Sequence, residues 1–171
     1  IIACLVGSEM CIRDRDMTQR IRFSPGPVVA APFQLTLGGG VELVQPAAHR
    51  IAAAETYMGL VEVGVGLIPG GGGNLRMILN AMEGGTGRMG AFQKIQKTFE
   101  TVGFAKIATS ADEAKHLGYL KKDDTIILNR DYLIQAAKDK AIELAQSYTP
   151  PAYKDDLKLP GAGGRTAMAM A

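Results

Sequence analysis

The sequence lacks several features that would point to particular classes of protein. Its 171 residues contain no Trp, 2 Cys and 2 His, and 19 basic against 17 acidic side chains give a net charge of +2. This near balance is unlike the basic excess of a nucleic-acid-binding domain. The apolar run at residues 1–6 is too short for a membrane span or a signal-peptide core. We therefore expect a cytoplasmic protein with no membrane span and no nucleic-acid partner.

Both cysteines, Cys4 and Cys11, lie in the first fifteen residues and cannot cross-link the main body. A closed zinc site needs four ligands, and no nearby His completes one, so we predict no metal site. Residues 1–15 follow neither the helical nor the strand period, and the stretch SEMCIRDR resembles a translated sequencing-adaptor read. We interpret residues 1–15 as a non-native, adaptor-like segment and set them aside.

Glycine, by contrast, is abundant, with 21 residues and no collagen-like period. Residues 27–37 form an apolar run that predicts a buried strand, and three glycines end it. A short helix follows, limited by Pro46, and residues 50–54 predict a second strand. A second glycine cluster, residues 70–73, is either a flexible turn or a place of close backbone packing.

Helical spacing replaces glycine in the second half of the chain. Residues 92–104 predict one amphipathic helix, and the capping-box pattern from Ser110 to Glu113 opens another, which Gly118 ends. A third helix begins near Asn129, and Pro150 is expected to stop it. The balanced charges of residues 94–158 are most simply the solvated outer faces of these helices.

Two glutamates stand among apolar residues near the glycine clusters. Glu42 and Glu62 are two of only four carboxylates in residues 17–99. Burial of a carboxylate raises its pKa and suits it to proton transfer near neutrality, although a surface position for either glutamate stays open. The turn at residues 38–40 exposes backbone N–H groups that could cradle a phosphate or form half of an oxyanion hole. Its spacing matches neither the dinucleotide-binding nor the NTPase pattern.

The stretches PVVAAPFQLTLGGGVEL and YMGLVEVGVGLIPGGGGNLRM together resemble the central part of the crotonase, or enoyl-CoA hydratase/isomerase, family. The resemblance rests on a glycine triplet, on Glu42 and Glu62 twenty residues apart, and on a G-x-x-P-G-x-G-G loop. TSADEAKHLGYL resembles a helix of the same family. KLPGAGG resembles the tail seen where this module is joined to a 3-hydroxyacyl-CoA dehydrogenase.

The resemblance implies an α/β fold, the C-terminal portion of a crotonase-like ββα superhelix followed by helices. Residues 16–90 would be a core fragment with the glycine-rich active-site loops, residues 91–150 a helical part and residues 151–171 a truncated tail. Gly39 matches the donor of one of two N–H groups to the thioester oxygen, and Glu42 and Glu62 match the pair that activates water. Residues 70–73 would turn closely behind Glu62. Four further glycines are expected to contact substrate: Gly38, Gly40, Gly71 and Gly72.

The implied activity is addition of water to the C2=C3 bond of a 2-enoyl-CoA in fatty-acid β-oxidation. That step needs no metal or redox cofactor, and NAD would enter only with a dehydrogenase domain outside this chain. Double-bond isomerisation and a non-catalytic acyl-CoA-binding scaffold stay open as alternatives, and the resemblance implies a homo-oligomer. The second oxyanion donor is expected upstream of Ser24, so we expect the fragment alone to be inactive. Acyl chain length is left open.

Overall fold

A computed structural model describes residues 2–83, 90–154, 157 and 159–169, with side chains for residues 12–83, 90–154, 157, 159–166, 168 and 169. The side chains of Cys4 and Cys11 lie outside this set. The α-helices are α1 (Ile2–Arg22), α2 (Gly39–Val44), α3 (Gly73–Glu83), α4 (Ala91–Gly103), α5 (Ala111–Leu117), α6 (Leu133–Ala145) and α7 (Gly161–Ala169). The strands are β1 (Val29–Ala30), β2 (Leu35–Leu37), β3 (His49–Ala53), β4 (Tyr57–Gly59) and β5 (Thr125–Ile127), and Glu62–Val65 and Arg130–Tyr132 are short 3₁₀ helices.

The strands form two small parallel sheets. One has the order β1-β3-β5 and the other pairs β2 with β4. Val29 lies opposite His49 in the first sheet, and Leu37 lies opposite Gly59 in the second. Parallel neighbours need crossover connections, and α2 lies within the crossovers from β1 to β3 and from β2 to β4. The prediction of a mixed α/β fold is confirmed.

The single strand predicted over residues 27–37 is in fact two strands in different sheets. Pro32 has no N–H to donate to a ladder, and Gln34 has a positive φ of 52°, so the extended chain is interrupted. The Pro32 carbonyl accepts the Ala53 N–H at 3.0 Å, and the Gln34 carbonyl accepts the Tyr57 N–H at 2.7 Å. The chain thus passes from the first sheet to the second within these residues.

The helical part predicted for residues 91–150 also contains a strand, β5, which the sequence analysis missed. The N-cap predicted at Ser110 is confirmed, because its hydroxyl oxygen accepts the Glu113 N–H at 3.1 Å, and Gly118 ends α5 with a φ of 90°. The reciprocal half of the capping box differs, since the Glu113 carboxylate accepts the N–H of Thr109 and not that of Ser110. The prediction that Pro150 stops the third helix is wrong, since α6 ends at Ala145.

The main core lies beneath the loops that carry the two glutamates. Val41 and Leu60 are completely buried and stand next to Glu42 and close to Glu62 in the chain, so core packing fixes the backbone at both places. The Tyr119 hydroxyl lies within the same core and donates to the Lys106 carbonyl at 2.6 Å. The other core members come from both halves of the chain: Ala52, Met58, Met77, Val102, Ala108, Ala111, Ala114 and Leu120.

A buried ion pair holds the C-terminal end of α2. Arg50 donates from Nε to Asp124 Oδ2 at 2.7 Å, and one terminal nitrogen donates to the carbonyls of Gln45 and Ala47 at 2.8 and 3.2 Å. His49 Nε2 lies within hydrogen-bond distance of Thr125 Oγ1, at 3.0 Å. Within the part of the chain that the structure describes, no helix is both long and apolar enough to cross a lipid bilayer.

Candidate active site

Glu42 lies in the first turn of α2 and is held by the second glycine cluster. Its side chain is only 6% exposed. Oε2 accepts the Gly71 N–H at 3.0 Å, and Oε1 accepts the Gly73 N–H, the first of α3, at 2.8 Å. A carboxylate is well placed there, because the N-terminus of a helix carries unpaired N–H groups and a partial positive charge. Both oxygens are therefore fixed in position.

The loop that holds Glu42 is itself fastened by α1. The Thr18 hydroxyl is buried and lies 2.8 Å from the Gly71 carbonyl and 2.9 Å from the Arg15 carbonyl, either of which accepts its proton. Arg15 donates from its guanidinium to the Gly70 carbonyl at 3.1 Å. Sequence reasoning missed Thr18, since no pattern links residues 53 positions apart. Arg15 belongs to the segment set aside as non-native, and that interpretation stays a prediction.

Glu62 opens the 3₁₀ helix after β4 and has a different environment. Burial raises the pKa of Glu62 above its ordinary value, and the nearby Glu42 carboxylate raises that pKa further. Glu62 Oε2 is buried and has no hydrogen-bond partner among the described residues. A partly desolvated carboxylate with one oxygen free of partners is suited to accept a proton from a bound molecule or to donate one to it.

The structure corrects the expectation that residues 70–73 turn closely behind Glu62. A methyl group on Gly71 would lie 2.7 Å from Glu42 Oε2, so this loop approaches the other glutamate. Gly38 is the neighbour of Glu62, because a methyl group there would lie 3.3 Å from Glu62 Oε1. Each glutamate is thus approached by the glycine cluster that lies farther from it along the chain.

The turn at residues 38–40 leaves two backbone N–H groups open. Gly38 has φ 54° and ψ −124°, a conformation that favours glycine, and its N–H donates to the Gly59 carbonyl at 2.7 Å. The Gly38 carbonyl accepts from Val41 and Glu42, whereas the N–H groups of Gly39 and Gly40 have no acceptor among the described residues. These two donors, at the start of α2, are where an anionic oxygen could be bound.

Two of the glycines predicted to contact substrate have backbone N–H groups that are already used within the protein. Gly38 and Gly71 already donate to other groups of the protein, so their backbone N–H groups are not open to substrate. Gly72 adopts φ 113°, and its carbonyl accepts the first-turn N–H of Arg76 at 3.1 Å. Substrate contact by Gly38, Gly40, Gly71 and Gly72 stays a prediction. No group of three or more His, Cys, Asp or Glu side chains that could hold a metal occurs among the described residues.

The sequence of this chain is similar to those of several known proteins. A family model described as enoyl-CoA hydratase/isomerase matches residues 8–157. The chain is 46% identical over 156 residues to a protein of Bacillus subtilis named "Probable 3-hydroxyacyl-CoA dehydrogenase", covering 91% of this chain and 19% of that protein. It is 32% identical over 136 residues to mitochondrial methylglutaconyl-CoA hydratase of Mus musculus, covering 80% of this chain and 38% of that protein.

The fold is similar to that of a solved enoyl-CoA hydratase from Thermoplasma volcanium. The TM-score is 0.63 at 23% identity, and the match covers 81% of this chain and 49% of that one. At this identity the likeness concerns the fold alone. The matched segment therefore spans less than half the length of each of these three proteins.

Proposed function

Because the chain belongs to the enoyl-CoA hydratase/isomerase family, we propose that it forms the site at which water adds to the C2=C3 bond of a 2-enoyl-CoA thioester. The observation that supports this most directly is the pair of dissimilar glutamates, Glu42 and Glu62, beside the open N–H groups of residues 39 and 40. Hydration requires just these elements: groups that bind and deprotonate water, a proton for C2, and donors for the thioester oxygen.

In the proposed reaction the water oxygen forms a bond to C3 as one of its protons passes to a carboxylate. The π electrons of the C2=C3 bond move toward the thioester carbonyl, whose developing negative charge the Gly39 N–H stabilises. The enolate then takes a proton at C2, so that one water molecule has been added in all. Glu62 moves the proton because its Oε2 has no other partner, and Glu42, held through both oxygens, positions the water.

The surroundings of Glu62 suit an acyl substrate. Val65, Leu67 and Ile68 follow it in the chain and are 76%, 62% and 75% exposed, which provides apolar surface for a hydrocarbon chain. We further propose that the reaction serves fatty-acid β-oxidation and needs no cofactor. The name of the B. subtilis relative supports a fused dehydrogenase, which would oxidise the 3-hydroxyacyl product with NAD. A homo-oligomer stays a prediction.

Double-bond isomerisation is the second candidate, and the state of Glu42 favours it. Each oxygen of Glu42 is held by a backbone N–H, whereas Oε2 of Glu62 has no partner among the described residues, so Glu62 is the freer carboxylate to carry a proton from one carbon to another. One-carboxylate proton transfer is all that isomerisation of a 3-enoyl thioester to a 2-enoyl thioester requires.

The test uses the full reading frame that contains this chain, and the chain alone, run in parallel, is expected to be inactive. With crotonyl-CoA, the conjugated thioester absorbance should decrease, and Glu42→Gln and Glu62→Gln should each slow that loss by about 100-fold or more. Full rates in both variants would contradict the two-glutamate mechanism. With a 3-enoyl-CoA, rapid formation of 2-enoyl product without hydrated product would favour isomerisation, and CoA binding without either turnover would favour a scaffold.

A further inference from the structure

A small pocket lies between the C-terminal end of α1, the outer face of α3 and residues 151–154. Its volume is about 260 Å³, below the ~300–1,000 Å³ typical of sites for drug-sized molecules. None of the glutamates or glycines of the candidate active site lines it. The pocket therefore has room for a small molecule that is distinct from the reacting acyl group.

The charges around this pocket are unbalanced. Arg22, Arg76 and Lys154 line it together with a single acidic residue, Glu83. Both oxygens of Glu83 are already occupied, by Lys121 at 3.0 Å and by Lys154 at 2.7 Å. Glu83 lies near enough to Arg76 to favour its charged form, but no hydrogen bond joins Glu83 to either arginine.

The guanidinium groups of Arg22 and Arg76 are unusual in this pocket because they have no partner in the part of the chain that the structure describes. Neither the Arg22 nor the Arg76 side chain makes a hydrogen bond or ion pair with any of the described residues, although both side chains are partly buried. Burial lowers the pKa of Arg76, and the positive charge of Arg22 lowers it further. Two like charges held near each other and partly withdrawn from water gain most from an anion between them.

The side chains that line the pocket indicate which class of ligand it could bind. A guanidinium presents a planar fork of N–H donors that matches phosphate oxygens in pairs, and two forks suit a group with three or more acceptor oxygens and two negative charges. Phe23 and Tyr153 add aromatic surface, with ring centroids 6.1 Å apart, and Leu75 and Leu79 add aliphatic surface. We propose that Arg22 and Arg76 form a binding site for the phosphoryl group of a small phosphate monoester, with its organic part against these apolar side chains.

The test is an NMR titration of the purified chain with inorganic phosphate and with phenyl phosphate, at constant ionic strength, following the Arg Nε–H and α3 amide signals. We expect saturable binding, tighter for phenyl phosphate because its ring covers apolar surface. The double variant Arg22→Gln/Arg76→Gln should weaken binding about tenfold or more. Arg76→Lys should weaken binding less, since lysine keeps the positive charge and lacks only the planar pair of N–H donors. Arg20→Gln, which changes an exposed arginine of the same helix, should bind as the wild type does.

Three results would overturn the proposal. The first is the absence of saturable binding to either probe, and the second is equal binding by the wild type and by a folded double variant. If the double variant does not fold, Arg22→Gln alone replaces it, because Arg22 has no partner to lose. The third is displacement of phenyl phosphate by an equal concentration of 3′-dephospho-coenzyme A, which has no phosphate monoester, because this would assign the arginines to the proposed substrate site. All three readouts are independent of hydratase activity.

Discussion

The two candidate catalytic glutamates should respond oppositely to the same conservative change. Replacing Glu42 by Gln keeps the shape but turns one acceptor oxygen into an NH₂ donor. Oε1 and Oε2 of Glu42 accept N–H groups at 2.8 and 3.0 Å, so one of those N–H groups would then face another donor. Because Glu42 is only 6% exposed, water cannot easily replace the lost hydrogen bond. In Glu62→Gln the NH₂ group can take the place of Oε2 without losing a hydrogen bond, because Oε2 of Glu62 has no partner among the described residues.

The expected changes in the free energy of unfolding follow from these contacts. A hydrogen bond to a charged group contributes about 1.5–3 kcal/mol net, and a buried unpaired N–H costs about 1–3 kcal/mol, partly offset because the amide is easier to bury than a carboxylate. We expect Glu42→Gln to lower the free energy of unfolding by about 2–3 kcal/mol. At about 2–4 °C per kcal/mol for a chain of this size, Tm should fall by about 4–12 °C. Glu62→Gln should lower neither quantity.

The assay is urea and thermal unfolding of the wild type and both variants, followed by circular dichroism at several pH values. The raised pKa of Glu62 means that its ionisation destabilises the folded state. Glu62→Gln should therefore equal or exceed the wild type at pH 7, and the difference should vanish as the pH falls below about 4.5. A Glu42→Gln variant as stable as the wild type, or equal destabilisation by both changes, would refute the assignment of these hydrogen bonds.

Three further changes test two contacts that support the site and one ion-pair cluster outside it. Gly71→Ala puts a methyl group 2.7 Å from Glu42 Oε2, so the carboxylate or the loop must move, and the hydration rate should fall about 10- to 100-fold. Gly26→Ala meets no heavy atom within 4 Å and is its control. Thr18→Val removes the hydroxyl bound to the loop and should lower the free energy of urea unfolding by about 1 kcal/mol, which Thr18→Ser should restore. Burial alone would raise the pKa of Glu83, but its two lysine partners bring that pKa to about 2. The wild type should therefore have a higher free energy of urea unfolding than Glu83→Gln. This difference should be constant above about pH 5 and disappear as the pH falls toward 2.

Local features of the fold could be predicted from the sequence, and long-range ones could not. The cap of α5 at Ser110 and the start of α2 after Gly38 follow from residues next to each other in the chain. The family resemblance, carried by a few spaced residues, is confirmed by the comparisons, as is the crotonase-type fold. The pairing of β5 with β3 was missed because a three-residue strand has too few positions to show a period. Nor does any pattern predict that Arg50 contacts Asp124, 74 residues later.

Three of the glycines are explained by the two carboxylates rather than by flexibility: Gly38, Gly71 and Gly73. Glu42 needs N–H groups close to both oxygens, and Gly71 and Gly73 provide them where a Cβ would lie only 2.7 and 3.0 Å from those oxygens. Glu62 needs a turn beside it that can adopt the φ of 54° found at Gly38. The result is an unequal pair, in which one glutamate is fixed by two donors and the other keeps a buried oxygen without a partner. This inequality favours a division of labour. Glu42 positions water, because one N–H holds each of its oxygens in place and each oxygen can still accept a second hydrogen bond. Glu62 moves the proton, because its Oε2 has no other partner among the described residues.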